Sequence, residues 1–326
     1  MERALYEPGL GYYATSEDRA TRTGDFLTAP ELHPVFAATV SRQVAEMRER
    51  LGSPADFTLR EYGAGTGAFG GAIAARLGVT YEPREVVGRQ LAQPAGGSFV
   101  GVVLANELLD ALPFHRLVRR AGELKEVAID WAEGRLVERE IDLTDDRLRF
   151  ADNPVALPEG QRTEMSLASG DWLREIALDL TRGYALLFDY ALPQADLYSP
   201  VRSEGTARAF RGHHVSSDLL GGVGRQDITA HINLDALARQ AREAGFQVLG
   251  TAKQNEFLLA SGLDQEYAAA RDATDQGWET ALALRSAIQR LLDPNQLGGY
   301  RVVVLVKGVD ISQPLAGLTP IKRPGG

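Results

Sequence analysis

Glu61, Gly63, Gly65 and Gly67 alternate through the stretch LREYGAGTGAFGGAI, residues 59–73, which also holds Gly70 and Gly71. An apolar run leads in and an alanine-rich, helix-like run leads out. Strand, glycine turn and helix is the usual way to build a nucleotide site, because bare backbone comes close to the ligand. GAGTGA, residues 63–68, satisfies the dinucleotide pattern G-x-G-x-x-G/A in form. Glu61 points elsewhere. A carboxylate two residues ahead of the first glycine repels a pyrophosphate, but it can face a cation or order water beside one. Gly67 lets the backbone bend around a bulkier ligand that lacks phosphate. S-adenosylmethionine (SAM), made of a sulfonium, an ammonium and an adenosine, fits those terms. A dinucleotide site and a tight turn that binds nothing are the alternatives.

Other charged residues stand where apolar runs stop. Glu82 and Glu85 follow Gly63 by 19 and 22 positions. A carboxylate there commonly holds ribose hydroxyls; Glu85, at the end of its run, is favoured, against a plain solvated charge beside Arg84. In LANELLDALPFH, Asn106, Glu107 and Asp110 come directly after a buried run. Methyl transfer from a sulfonium is an in-line displacement, so alignment of donor and acceptor dominates. Carboxylates also suit an amine or guanidinium acceptor, since they hold its charge and help remove a proton. Glu107 and Asp110 fit that role; a turn cap and a surface charge are the structural alternative. Asp189, in LLFDYA, either lines the same cleft or caps a loop. Arg208, Arg211, His213 and His214, with Asp227 and His231, suggest a cation-lined loop over the cleft, with plainly solvated side chains as the alternative. Adjacent histidines are poorly spaced for a metal pair, so no metal is expected.

These residues need a frame. The 326 residues are 44% apolar and 24% charged, ordinary for a globular protein. A formal net charge of −9 argues against broad nucleic-acid binding. The absence of cysteine excludes disulfides, thiolate metal sites and a cysteine nucleophile. No apolar run reaches the roughly 20 residues that span a bilayer. The start, MERALYEPGLGYY, has neither a signal-peptide core nor a transit-peptide pattern, so a cytoplasmic place is expected.

Along the chain, VFAATVSRQVAEMRERLG reads as an amphipathic helix, and FTLREYG, VTYEPRE and FVGVVLA as strands. FHRLVRRAGELKEVAIDWAEGRLVEREIDL reads as an antiparallel meander inserted at about 114–168, which could roof the site. A helix, the buried strand YALLFDY and a long polar loop over 191–226 follow. Then come a helix with Asn233 as its N-cap, two last strands, and a helical excursion between them. Alternating strands and helices predict an α/β fold, an open parallel sheet with helices on both faces and ligands beyond the carboxyl ends of its strands. The expected division is an N-terminal segment and helix over 1–56, a main domain over 57–310, and a tail over 311–326.

The segments ALYEPGLGYY, GDFLTAPELHPVF, EYGAGTG, ANELLDALPFH, GYALLFDYA, GTARAFRGHHV and GRQDITAHINLDAL together resemble the MidA family, across most of the chain. The resemblance implies a class I SAM-dependent methyltransferase fold, Rossmann-like, with an antiparallel β insertion and an N-terminal extension. It implies arginine N-methylation of a protein, which for the family's mitochondrial member is a subunit of respiratory complex I. It also places Gly24, Asp25 and Phe26 in a segment closing over the cofactor, Glu61, Gly63, Gly65 and Gly67 in the SAM loop, and Asn106, Glu107 and Asp110 on the acceptor side. Two departures stand out. The family usually has a helix or more before ALYEPG. Only about 17 residues separate Glu85 from Val102, where a full methyltransferase sheet places a helix and another strand. That shortening favours the rival reading, a non-catalytic assembly or binding protein on the same fold; a nicotinamide-linked oxidoreductase is a third.

Overall fold

The computed structural model describes residues 1–15, 28–87, 90–91, 97–153, 155–212, 214–273 and 277–320. Gly24, Asp25, Phe26 and His213 lie outside them.

The chain opens with a short helix, α1 (Glu2–Tyr6), and later a helical turn, Ala29–Leu32. In α2 (Val35–Arg50), Phe36, Val40, Val44 and Met47 recur at helical spacing and are buried, and Gly52 at φ +84° follows its end. β1 (Thr58–Tyr62) runs into the glycine turn, and α3 (Ala68–Leu77) begins on Gly67 and stops on Gly78, both left-handed. β2 (Thr80–Arg84) and β3 (Phe99–Asn106) complete the first half of the central sheet.

β4 (His115–Arg120), β5 (Glu123–Ala132) and β6 (Arg135–Ile141) form the expected meander, and β7 (Arg162–Met165) returns to pair with β4. Next come α4 (Ala168–Asp179) and β8 (Leu180–Asp189). The polar segment after β8 is not a bare loop. It contains β9 (Arg208–Arg211) and β10 (His214–Ser216), which join β11 (Asp227–Thr229) in a three-stranded antiparallel sheet. α5 (Leu234–Glu243) follows, and Asn233 Oδ1 accepts from the Asp235 and Ala236 N–H groups, as an N-cap should. β12 (Gln247–Lys253), α6 (Gln254–Ala260), α7 (Leu263–Asp272), α8 (Trp278–Leu292) and β13 (Arg301–Lys307) finish the frame.

The central sheet has the order β12-β13-β8-β3-β1-β2. β2, β1, β3 and β8 are parallel, as expected, whereas β13 is inserted antiparallel between β8 and β12. Helices cover both faces, which is why β3 reads as a continuous apolar run. Its Val102 and Leu104 pack with Phe36, Ile73 and Phe257 on one face; its Val103 and Ala105 pack with Trp172, Ile176 and Leu237 on the other. Among the described residues β2 is the outermost strand, with Pro83 in register with Glu61.

Arg60, in the middle of β1, is wholly buried. It pairs with Asp179, the last residue of α4, at 2.7 Å and with Glu82 of β2 at 2.8 Å, and its guanidinium lies 4.1 Å from the centre of the Phe99 ring. This cluster ties two strands and a helix together at one point inside the fold.

Candidate active site

Glu61, Glu85, Asn106, Glu107 and Asp189 stand at or just beyond the carboxyl ends of parallel strands, whereas Glu82 lies in the middle of β2 and pairs with Arg60. The glycine turn hangs from β2: the Gly63 N–H donates to the Arg84 carbonyl at 2.8 Å, and the Gly65 N–H donates to Glu85 Oε1 at 2.5 Å. Gly63, Gly65 and Gly67 have φ values of +67°, +55° and +71°, a region that side chains disfavour. Glu61 is buried, and its Oε2 accepts from the Gly70 N–H at 3.0 Å and the Tyr81 hydroxyl at 2.5 Å. Burial pushes its carboxyl up to about 7. Gly70 lets Glu61 come this close, since an added Cβ would stand 2.5 Å from Glu61 Oε2 and force that side chain to shift.

At the end of β3 the backbone turns sharply. Glu107 takes φ +50°, rare for a residue with a side chain, and its N–H donates to the Phe188 carbonyl at 2.8 Å. Asn106 Nδ2 donates to Glu107 Oε1 at 3.2 Å. Asp189 organises this turn from β8. Its Oδ2 accepts from the Leu109 and Asp110 N–H groups at 2.8 and 3.4 Å, and its Oδ1 accepts from the Tyr190 N–H at 2.7 Å. It is buried and does not line the cavity described below.

The two cavity carboxylates here are difficult to ionise. Burial first, then the Asp189 charge, lifts Glu107 to about 8. Burial, followed by Asp189, Glu107 and Asp227, holds Asp110 well above the usual carboxylate range. Asp189 itself is lifted to about 7 by burial, against the pull of its amide donors. Asp110 Oδ1 and Asn106 Oδ1 are buried acceptors with no hydrogen-bond partner among the described residues.

A cavity of about 330 Å³ joins these pieces. Glu61 and Gly63 to Thr66 form one end, and Asn106, Glu107 and Asp110 the floor. Tyr12, Tyr13 and the turn at Thr28–Glu31 close one side; Thr206, Arg208, Phe210, Asp227 and His231 make the roof. The roof is therefore the sheet of β9 to β11. The expectation that the meander would cover the site is corrected. The meander packs around its own small core of Leu117, Leu124, Leu148 and Met165 and instead helps to wall a separate cavity of about 950 Å³ beside α1. That larger cavity contains none of the residues singled out for cofactor or acceptor. His231, pushed down to about 4 by burial and then by Arg202 and Arg208, is neutral at pH 7. Tyr12 and Tyr13 were not assigned a role from the sequence, and Asp227 only a loop position. Their signal lay in long-range pairing, which spacing does not carry.

Residues 89–252, half of the chain, match the family described as "Putative S-adenosyl-L-methionine-dependent methyltransferase". The chain belongs to this family. A solved structure from Burkholderia thailandensis bound to S-adenosyl-homocysteine is 28% identical, covers 99% of this chain and 90% of that one, and superposes with a TM-score of 0.84. The protein called "Protein arginine methyltransferase NDUFAF7, mitochondrial" is 24% identical in both Bos taurus and Homo sapiens, over 91% of this chain and 76% of theirs. The chain is thus a SAM-dependent methyltransferase with the class I, Rossmann-like fold and antiparallel insertion, and the dinucleotide and non-catalytic readings give way.

The methyltransferase cavity fits this cofactor. It sets the bare backbone of Gly63–Thr66 beside the carboxyl groups of Glu61, Glu107 and Asp110, which suits a ligand that carries a sulfonium and an ammonium. When bound, SAM supplies an electrophilic methyl group on a sulfonium. Among the described residues no helix is long and apolar enough to cross a membrane.

Proposed function

We propose that this methyltransferase acts on arginine side chains of a protein acceptor. One observation carries the reading: among the described residues, Asp110 Oδ1 and Asn106 Oδ1 have no hydrogen-bond partner in a buried cavity that Glu107 also lines. Buried acceptors left unmade cost about 1–3 kcal/mol each, so a surplus of them points to a donor-rich ligand. A guanidinium has five N–H donors and no acceptor. The names of the relatives agree with that chemistry.

In this reading Glu61, Gly63, Gly65, Gly67 and Glu85 hold the cofactor. Their turn exposes backbone to it, and Glu85, tied to the Gly65 N–H, stands at the strand end suited to ribose hydroxyls. Gly24, Asp25 and Phe26 would belong to the same side by family resemblance. Asn106, Glu107 and Asp110 face the acceptor. Glu107, lifted to about 8, accepts the proton released as the guanidinium nitrogen takes the methyl group. Charge balances: one proton passes to the carboxylate, and the electron pair of the breaking S–C bond stays on sulfur. Asp189 positions Glu107 through the backbone it holds.

Mass spectrometry of methylarginines in cells with and without the gene tests the proposal, followed by transfer from labelled SAM into a lysate of the deleted strain. Label in arginine of a discrete protein is expected; label only in lysine or in small molecules overturns the reading. A respiratory complex I subunit is the first acceptor to examine, on family resemblance. We place the activity in the cytoplasm, in line with a cysteine-free acidic chain. The relatives named mitochondrial point the other way, and imaging of a tagged chain decides.

A further inference from the structure

A further cavity, of about 680 Å³, adjoins the methyl-transfer cavity. Tyr190, Phe210 and His231 line both, and none of them belongs to the glycine turn. The Tyr190 hydroxyl is pushed up by burial and then by the charges of Glu107 and Asp110, so this shared wall stands near the acceptor floor. The wall is aromatic. The Tyr190 ring lies 5.9 Å from the His231 ring and 3.8 Å from the ring of Tyr300, which lines the outer cavity only. Such rings suit both the apolar stem and the cationic head of an arginine. Charge changes sign from one cavity to the other. The inner one carries the carboxyl groups of Glu31, Glu61, Glu107, Asp110 and Asp227 against one arginine, Arg208. Among the described residues no carboxylate lines the outer one, and its single arginine is Arg290, in the last turn of α8. Arg290 makes no hydrogen bond or ion pair with any described residue. Asp293, three positions on, is engaged elsewhere, accepting from the Asn295 N–H at 2.9 Å and from Gln296 Nε2 at 2.8 Å.

We infer that the outer cavity docks the stretch of the acceptor protein that flanks the methylated arginine, and that Arg290 selects an acidic residue in that stretch. The inference rests on the arginine reading and adds the chemistry of the flank. A segment that sends an arginine into a carboxyl-lined cavity and sets a carboxylate beside Arg290 matches both signs at once. Complementarity of that kind chooses partners and fixes register. An unpaired guanidinium offers the incoming carboxylate charge-assisted bonds without first breaking an internal pair. Leu192, Leu297 and Tyr300 give an apolar neighbour in the same segment a place to pack. Arg290 lines the outer cavity alone, so it acts on the choice of acceptor and not on the methyl transfer itself.

The experiment measures transfer from labelled SAM into short acetylated peptides that hold one central arginine. One peptide has alanine elsewhere, a second set carries glutamate at each flanking position in turn, and a third set carries lysine there. Wild type is expected to favour the preferred glutamate peptide over the alanine peptide by about five-fold or more in kcat/KM, mainly through KM. Arg290→Gln should level the two, and Arg290→Glu should invert the order in favour of a lysine peptide. The glutamate preference of wild type should shrink in about 0.5 M salt. N-acetylarginine amide, too short to reach the outer cavity, should be methylated equally by all three forms. Their S-adenosylhomocysteine affinities should agree within about two-fold, which reports intact folding. A glutamate preference that survives in Arg290→Gln overturns the role of Arg290. So does an equal loss on every peptide and on N-acetylarginine amide, which marks a structural effect. Arginine labelled in wild type with no regard to the flank overturns the docking site and leaves the arginine reading standing. No label in the arginine of any peptide, with S-adenosylhomocysteine still bound, overturns both.

Discussion

The Leu109 N–H donates to Asp189 Oδ2 at 2.8 Å, so a carboxylate at the end of β8 shapes the turn at the end of β3. That turn presents Glu107 at φ +50°, a conformation the chain holds because neighbouring bonds over-determine it. Glu107→Gln keeps the shape and removes the proton acceptor. Transfer should fall about 100-fold or more, with S-adenosylhomocysteine affinity nearly unchanged by calorimetry. Asp189→Asn should behave differently, losing thermal stability together with activity, because an amide N–H₂ would then face backbone donors. Identical behaviour of the two variants would contradict the separate roles.

Gly70 and Gly71 are neighbours in α3 with opposite surroundings. A Cβ on Gly70 would meet Glu61 Oε2 and Tyr81 Cε2 at 2.5 Å, while one on Gly71 finds only Tyr81 Cε1 at 3.7 Å. Gly70→Ala should cost about 1–3 kcal/mol in urea unfolding and weaken S-adenosylhomocysteine binding. Gly71→Ala should be neutral or stabilise by up to about 1 kcal/mol.

Buried carboxyls make the ligand-free protein sensitive to alkali. Glu61, Glu107 and Asp189 are raised to about 7, about 8 and about 7, so the native state binds protons that the unfolded chain has already released. Their contribution is complete below the ordinary carboxylate range and is lost as pH rises through about 7 to 8. The melting temperature should fall from about pH 5 to about pH 8, less steeply in Glu107→Gln. Transfer should rise over the same window, since Glu107 must be ionised to take a proton. A flat melting curve across it contradicts the assignment.

Arg60→Met strands Asp179, whose side chain is about 10% exposed, beside an apolar residue. Breaking a buried pair in this way costs about 3–5 kcal/mol. Adding Asp179→Leu should recover much of that, because the uncompensated charge goes with it. Urea midpoints of the single and double variants measure the difference.

What the sequence made legible was local. The apolar run through Ala105, the glycine turn, and Asn233 ahead of α5 each announce themselves within a few residues, because strand burial, left-handed backbone and capping are short-range demands. Partnership across the fold was not legible. Glu61 is tied to Tyr81, 20 positions on, and Arg60 reads as an ordinary charge in a strand until Asp179 is seen against it, 119 positions away. The sequence placed Arg208, Arg211, His214 and Asp227 over the cleft, but could not say that they fold as the sheet of β9 to β11. Arg208 to Arg211, Arg-Ala-Phe-Arg, is only four positions long and shows no alternation of charged and apolar residues, so it does not separate from a loop. The insertion of β13 between β8 and β12 was hidden for a similar reason, since strand order is set by packing and not by periodicity.

Pro83 gives the terminal strand of the sheet a further property. The Arg84 carbonyl is turned inward, onto the Gly63 N–H, so Pro83, one residue back, belongs to the outward-facing set. A proline has no N–H to offer there, and an incoming chain seeking to extend the sheet finds a gap in its hydrogen-bond ladder. Among the described residues, this edge of the sheet is thus guarded against templated aggregation by Pro83.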